Sequence, residues 1–253
     1  MTQTFAEFEP PIAMSPLGES AILVEFGKGI HPEIHRRVKA FTNLLDHCPF
    51  AGMIEYVAAF ASITVFYDPV IVKGWQTDAI ELKDRPAYEI VISILQALAE
   101  KLDHTVEASP RVVEIPVCYG GKFGPDLEYV AKHNKLTPDE VIEIHASGQY
   151  LVYMLGFAPG FPYLGGMSER ISAPRHQSPR MAIPAGSVGI AGMQTGVYPI
   201  TTPGGWQLIG RTPLELFRPN DNPPTLLQSG DIIRFRPISY KEYEEYKGGS
   251  QCG

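Results

Sequence analysis

Between Gly148 and Leu214 the sequence loses the ability to form helices. These 67 residues hold 12 glycines and 8 prolines, and their apolar residues come in short runs: YLVYML, AGSVGIAG, GVYPI and WQLIG. Proline removes a backbone donor and glycine is entropically costly inside a regular element, so short strands between turns are what remains. The expectation for this part is a β-barrel or sandwich. Downstream, LLQSGDIIRF reads as one more strand pair around Ser-Gly-Asp. A last helix, over about 239–247, is amphipathic through three tyrosines and is followed by a frayed GGSQCG tail.

The residues before about 105 follow a different pattern. AILVEF (21–26) is a short β run preceded by the turn SPLGES. From His31 to Cys48 the apolar residues Ile34, Val38, Phe41, Leu44 and Leu45 recur at helical spacing, with charged residues between them. GMIEYV and SITVFY follow, the second with strict alternation. A second helix runs from about Pro86 to Leu102, with Val91, Ile94, Leu95 and Leu98 in its stripe. This is an α+β pattern, a small sheet with helices on one face. The polar segment 103–111 marks the boundary, giving an N-terminal domain over 1–108, a barrel domain over 109–240, and a terminal helix end and tail over 241–253. The second part opens with the strand VVEIPVCY and two short helices, the latter begun by Thr137-Pro138-Asp139-Glu140, a capping box.

Charge excludes several functions. The chain carries −7 overall, which argues against a general binder of nucleic acid or anionic membranes. No run of about 18 apolar residues is present for a membrane span, and the acidic start MTQTFAEFEP does not resemble a signal peptide. Three cysteines, Cys48, Cys118 and Cys252, form no disulfide framework, so the expected location is the cytoplasm. Within 148–214, by contrast, there is no Lys, no Asp and one glutamate, Glu169, beside Arg170, Arg175, Arg180 and Arg211. A window stripped of carboxylates but holding guanidinium forks, with Gly186, Gly189, Gly192 and Gly196 exposing backbone N–H groups, suits a small anionic or acyl ligand. Solvated arginines on a glycine-cornered barrel are the alternative.

Familiar motifs fail on inspection. No G-x-x-x-x-G-K-[ST] is present to hold a nucleotide. Ala185-Gly186-Ser187-Val188-Gly189 has the form of a nucleophile elbow, but no helix follows it and no histidine lies downstream of His176. His31 and His35 lack a third metal ligand and read as a solvated helix start. His145, at the end of the capped helix, reads as a satisfied structural histidine, with a catalytic base as the alternative. Tyr150, Tyr153, Phe157, Phe161, Tyr163 and Tyr198 are an aromatic set, mostly core, with one or two expected at a pocket.

Three long strings, YMLGFAPGFPYLGGM (153–167), PAGSVGIAGMQTGVYP (184–199) and TPGGWQLIGRTPLELF (202–217), resemble one family. It comprises the B subunit of bacterial 5-oxoprolinase, the KipI-type inhibitor of a sporulation histidine kinase, and proteins known as allophanate hydrolase subunit 1. GESAILVEFG, IPVCYGGKFGPDLEYVA and LLQSGDIIRF extend the resemblance over nearly the whole chain. It implies an N-terminal α+β sandwich domain followed by a cyclophilin-like β-barrel domain. It also implies a hetero-oligomer with a C-type subunit that has a similar barrel and a third, A-type subunit, which together hydrolyse 5-oxo-L-proline to L-glutamate with ATP. Inhibition of a sensor histidine kinase, or a place in a urea- or allophanate-metabolising complex, are the alternatives. Carried over by motif, His145, Ser187 and Tyr198 become catalytic candidates, and Tyr153, Arg175, Arg180, Gln194, Gln207 and Arg211 substrate-binding ones. The two arginines Arg175 and Arg180 are expected to hold a carboxylate or phosphate together, Gln194 and Gln207 to bond an amide carbonyl, and glycine N–H groups to face a developing oxyanion. No metal is implied. Met193 stands where the family pattern has glycine.

Overall fold

The computed structural model describes residues 11–74, 85–102 and 110–249. The start of the chain, most of the expected boundary segment 103–111, and the tail with Cys252 lie outside them. The chain divides into two compact units, Met1–Ala108 and Ser109–Gly253.

In the first unit, the elements are β1 (Ala13–Pro16), β2 (Ala21–Glu25), α1 (Pro32–His47), β3 (Met53–Ala58), β4 (Ser62–Tyr67), α2 (Pro69–Gly74) and α3 (Ala87–Ala99). The strands form one antiparallel sheet in the order β1-β2-β4-β3. Alternation decides which face is covered. Ile63, Val65 and Tyr67 of β4 are buried, while Ser62, Thr64 and Phe66 are only partly so. Ile22 and Val24 of β2 join them, and the stripes of α1 (Ile34, Val38, Phe41, Leu45) and α3 (Ile90, Val91, Leu95, Leu98) close the core. α1 begins where His31 Nδ1 accepts the Glu33 N–H at 3.3 Å and Pro32 takes the first turn. His35 is not solvated as expected. It lies in the core, where burial, then the nearby Lys39, depress its pKa to about 4.

The second unit starts with β5 (Val112–Tyr119), α4 (Leu127–Asn134) and α5 (Pro138–Ser147). The capping box at α5 is formed in both directions, Glu140 N–H to Thr137 Oγ1 at 3.2 Å and Thr137 N–H to Glu140 Oε2 at 2.7 Å. Then come β6 (Tyr150–Leu155), β7 (Pro162–Gly165), a 3₁₀ turn (Glu169–Ile171), β8 (Arg180–Ile183), β9 (Ser187–Ala191), β10 (Gln194–Val197), β11 (Thr202–Gly204), β12 (Gln207–Arg211), β13 (Ile232–Pro237) and α6 (Tyr240–Gly249). Seven strands run in the order β10-β9-β12-β5-β13-β6-β7, and the two end strands lie against each other, so the sheet is a nearly closed barrel. β5 and β13 are parallel, and the other pairs are antiparallel. β8 and β11 form a separate two-stranded ribbon. The architecture is thus the α+β domain followed by a cyclophilin-like barrel.

LLQSGDIIRF supplies one strand, not two. Only β13 is extended; Gln228–Asp231 is a turn held by Asp231, whose carboxylate takes the Gln228 N–H at 2.7 Å and the Arg111 Nε–H at 2.9 Å. α6 packs on β5, burying Tyr243 with Phe123, Cys118 and Ile238.

Candidate functional site

Two glycines make the floor of the site. Gly196 pairs with Gly189 across the β9–β10 hairpin. With no side chain there, rings come down onto the strand: a Cβ on Gly196 would stand 3.1 Å from both Phe161 Cζ and Trp206 Cζ3. Phe161 sits at the centre, edge-to-face with Tyr163, Tyr198 and Trp206 at centroid distances of 5.4, 5.6 and 5.8 Å. Between these rings and the β8–β11 ribbon lies a cleft of about 460 Å³, to which Arg175, Gln194 and Gly204 also contribute. Its size is that of a small-molecule site. Four of the six aromatic residues anticipated as a set, Phe157, Phe161, Tyr163 and Tyr198, line it, whereas Tyr150 and Tyr153 are buried elsewhere.

The two arginines expected to act together are not equivalent. Arg180 Nη2 donates to Asp126 Oδ1 at 2.7 Å and Nη1 to His176 Nε2 at 2.8 Å. Asp126 Oδ2 takes the Leu208 N–H at 2.7 Å. Burial opposes the charge on Asp126, but the bonds from Arg180, Leu208 and His176 outweigh it and hold the carboxyl below its usual pKa. Arg180 is therefore neutralised at the back of the site. Arg175 is exposed on the cleft wall and has no carboxylate partner among the described residues. His176 Nε2 lies between the two charges, 2.8 Å from Arg180 Nη1 and 3.3 Å from Asp126 Oδ2. Burial pushes the Tyr198 phenol up to about 12 against the opposing pull of Arg175 and Arg180.

This arrangement is set in a chain whose relatives are known. Residues 12–227 match the family described as carboxyltransferase domain, subdomain C and D. The chain belongs to that family. It is 57% identical to the B subunit of 5-oxoprolinase from Bacillus subtilis (strain 168), over 91% of this chain and 95% of that one. With the corresponding 5-oxoprolinase B subunit from Escherichia coli O157:H7 it shares 41%, over 87% and 94%. The crystal structure of the K. lactis urea amidolyase superposes with a TM-score of 0.71 at 19% identity, covering 94% of this chain and 15% of that larger one, a likeness of fold.

The remaining motif candidates of this carboxyltransferase-family chain are not in the cleft. His145 is fully buried, stacked on Phe235 at 4.5 Å, with Nδ1 2.7 Å from Tyr119 Oη and Nε2 2.9 Å from Thr195 Oγ1. Its pKa falls to about 3 through burial, and with both nitrogens bonded inside the barrel it has the geometry of a core histidine. Ser187 is buried at the start of β9, and the backbone of Tyr153 accepts Ser229 Oγ–H at 2.8 Å. Gln207, 2% exposed, donates to Pro174 O at 2.8 Å and is not among the residues lining the cleft, whereas Gln194 is. Arg211 donates from Nε to Ala185 O at 2.8 Å, at the other end of β12. The glycine N–H groups expected to face an oxyanion are engaged: Gly186 donates to Tyr198 O and Gly192 to Ala173 O, both at 2.7 Å. Gly192 takes the left-handed position (φ 56°) in the hairpin turn, so Met193 fits beside it without a positive φ. Sequence reasoning missed Asp126, His176 and Trp206. The His-x-x-x-Arg spacing and the tryptophan between glycines and glutamine were visible signals; Asp126 carried none. Among the described residues, no three His, Cys, Asp or Glu side chains come together as a metal site, and no helix is long and apolar enough to cross a membrane.

Proposed function

We propose that this chain is the B subunit of an ATP-dependent 5-oxoprolinase, and that its cleft holds 5-oxo-L-proline while the complex opens the lactam to L-glutamate. The observation that carries this is Arg175, an exposed guanidinium without a carboxylate partner among the described residues, set in an aromatic wall beside the amide of Gln194. A small ring with one carboxylate matches that set. The carboxylate takes the fork of Arg175, Gln194 bonds the lactam amide, and Tyr198 donates from a hydroxyl that stays protonated. The rings displace water from the faces of the substrate, which strengthens each of these bonds. Names of relatives at 41% and 57% identity support the reading.

ATP supplies the driving force for lactam opening. The cleft offers a triphosphate one lining cation, Arg175, and the sequence has no phosphate-binding loop. We therefore assign nucleotide binding to other subunits, a C-type partner with a paired barrel and an A-type subunit, and place the complex in the cytoplasm, where ATP is available. The test is glutamate release from 5-oxoproline and ATP. It is expected only when this chain and its partners are mixed, and Arg175→Ala is expected to raise KM at least about tenfold. Glutamate from the partners alone, or an unchanged KM in Arg175→Ala, would overturn the assignment.

A further inference from the structure

The β6–β7 hairpin carries an aromatic residue in a conformation that aromatic residues avoid. Phe157 has φ 67°, and among the described residues only Lys135 shares a positive φ without being glycine. The turn around it is closed by the Ala158 N–H donating to Gly156 O at 2.8 Å, a γ-turn of the rarely populated hand. Two further bonds, Gly156 N–H to Phe161 O at 3.1 Å and Phe161 N–H to Ala158 O at 3.0 Å, hold the tip in this shape. The result is a side chain that is 67% exposed, although apolar, and that stands at the mouth of the cleft.

Its ring borders two hollows. On one side it meets Phe161 edge-to-face at 5.5 Å, as the outermost ring of the aromatic cluster. On the other it borders a second, shallower hollow formed by Leu155, Ala158, Pro159, Gly160 and Thr225. Phe161, by contrast, is buried and fixed, as are Tyr198 and Leu208 behind it.

We infer that Phe157 is the specificity-determining wall of the cleft: its ring closes over the exposed face of a small carboxylated lactam held by Arg175, and it excludes lactams that carry a substituent on that face. The inference rests on the cleft being the 5-oxoproline site. A ring laid on an unsubstituted lactam removes apolar area from water on both partners. A methyl group on that face holds the ring away and forfeits the contact.

The test uses the assembled complex, with assembly of each variant verified by size-exclusion chromatography. Phe157→Ala removes the ring and keeps the unfavourable φ; Phe157→Gly removes the ring and relieves it. Both are expected to raise KM for 5-oxoproline about tenfold with kcat within about twofold. Both are also expected to shrink the preference for 5-oxoproline over its ring-methylated analogue to about twofold, with Phe157→Leu intermediate. If the two variants leave KM and this preference unchanged while Arg175→Ala raises KM, the role of Phe157 is refuted and the cleft remains the substrate site. If Arg175→Ala is equally silent, the reading of the cleft fails and the role of Phe157 fails with it.

Discussion

His145 illustrates what burial does to a titratable side chain. The single proton of the Thr195 hydroxyl goes to Gly189 O at 3.0 Å, so Thr195 must accept from His145 Nε2–H, and Nδ1 must then accept from the Tyr119 hydroxyl. The imidazole is locked neutral, and its pKa is lowered from 6.5 to about 3. Because the unfolded chain binds a proton that the folded one refuses, the stabilisation is complete above pH 6.5 and is lost as pH falls from there towards 3. His35, lowered to about 4, acts with the same sign in the first unit. At pH 4.5 the His145 contribution alone should cost about 2–3 kcal/mol relative to neutral pH. Urea titrations at pH 7 and 4.5 should show this loss in the wild type and a smaller one in His145→Gln, whose amide can serve both neighbours without titrating. An equal loss in both proteins would exclude His145 as its source. Among expected site residues, Arg175, Gln194 and Tyr198 share a cleft because their motifs flank the same hairpin and ribbon. Asp126 was illegible because its partners, Arg180 and Leu208, lie 54 and 82 residues away.

Elements with their own periodicity could be read directly. β4 alternates and the stripes of α1 and α3 repeat at helical spacing, so packing asks of them only what their pattern already offers. β1 and α2 escaped notice for the same reason, that a short and largely exposed element shows no periodicity. β1 is a largely exposed edge strand of four residues, and α2 has a single buried residue in six. Leu226 and Leu227 look like strand residues until one sees that Asp231 must turn back to meet Arg111. At the β8–β11 ribbon the decisive property is space. A Cβ on Gly204 would come within 2.6 Å of both Tyr198 Oη and Ile183 Cδ1, whereas on neighbouring Gly205 the nearest atom is 3.6 Å away. Gly204→Ala should therefore destabilise the protein by about 1–3 kcal/mol and lower its melting temperature in calorimetry, with Gly205→Ala close to wild type. Equal melting temperatures would mean that Tyr198 and Ile183 yield without cost.

For the whole molecule, each unit has its own core. Ile22, Phe41, Val65 and Leu95 belong to one cluster, and Ile115, Val152, Ile190 and Ile233 to another. All residues lining the cleft come from the second unit. A chain starting at residue 110 should accordingly unfold in one cooperative thermal transition, and a broad, non-cooperative melt would show that it needs the first unit. The order of strands has a further consequence, in time. The N-terminal sheet is complete once Tyr67 has been made, but β5, ending at Tyr119, has neither of its neighbours until β12 and β13 appear, the latter ending at Pro237. At about 5–20 residues per second that interval is on the order of ten seconds. Until β12 is made β5 has two open edges, and a nascent chain arrested before β13 still displays one unpaired edge of this strand to every chaperone and every neighbouring nascent chain.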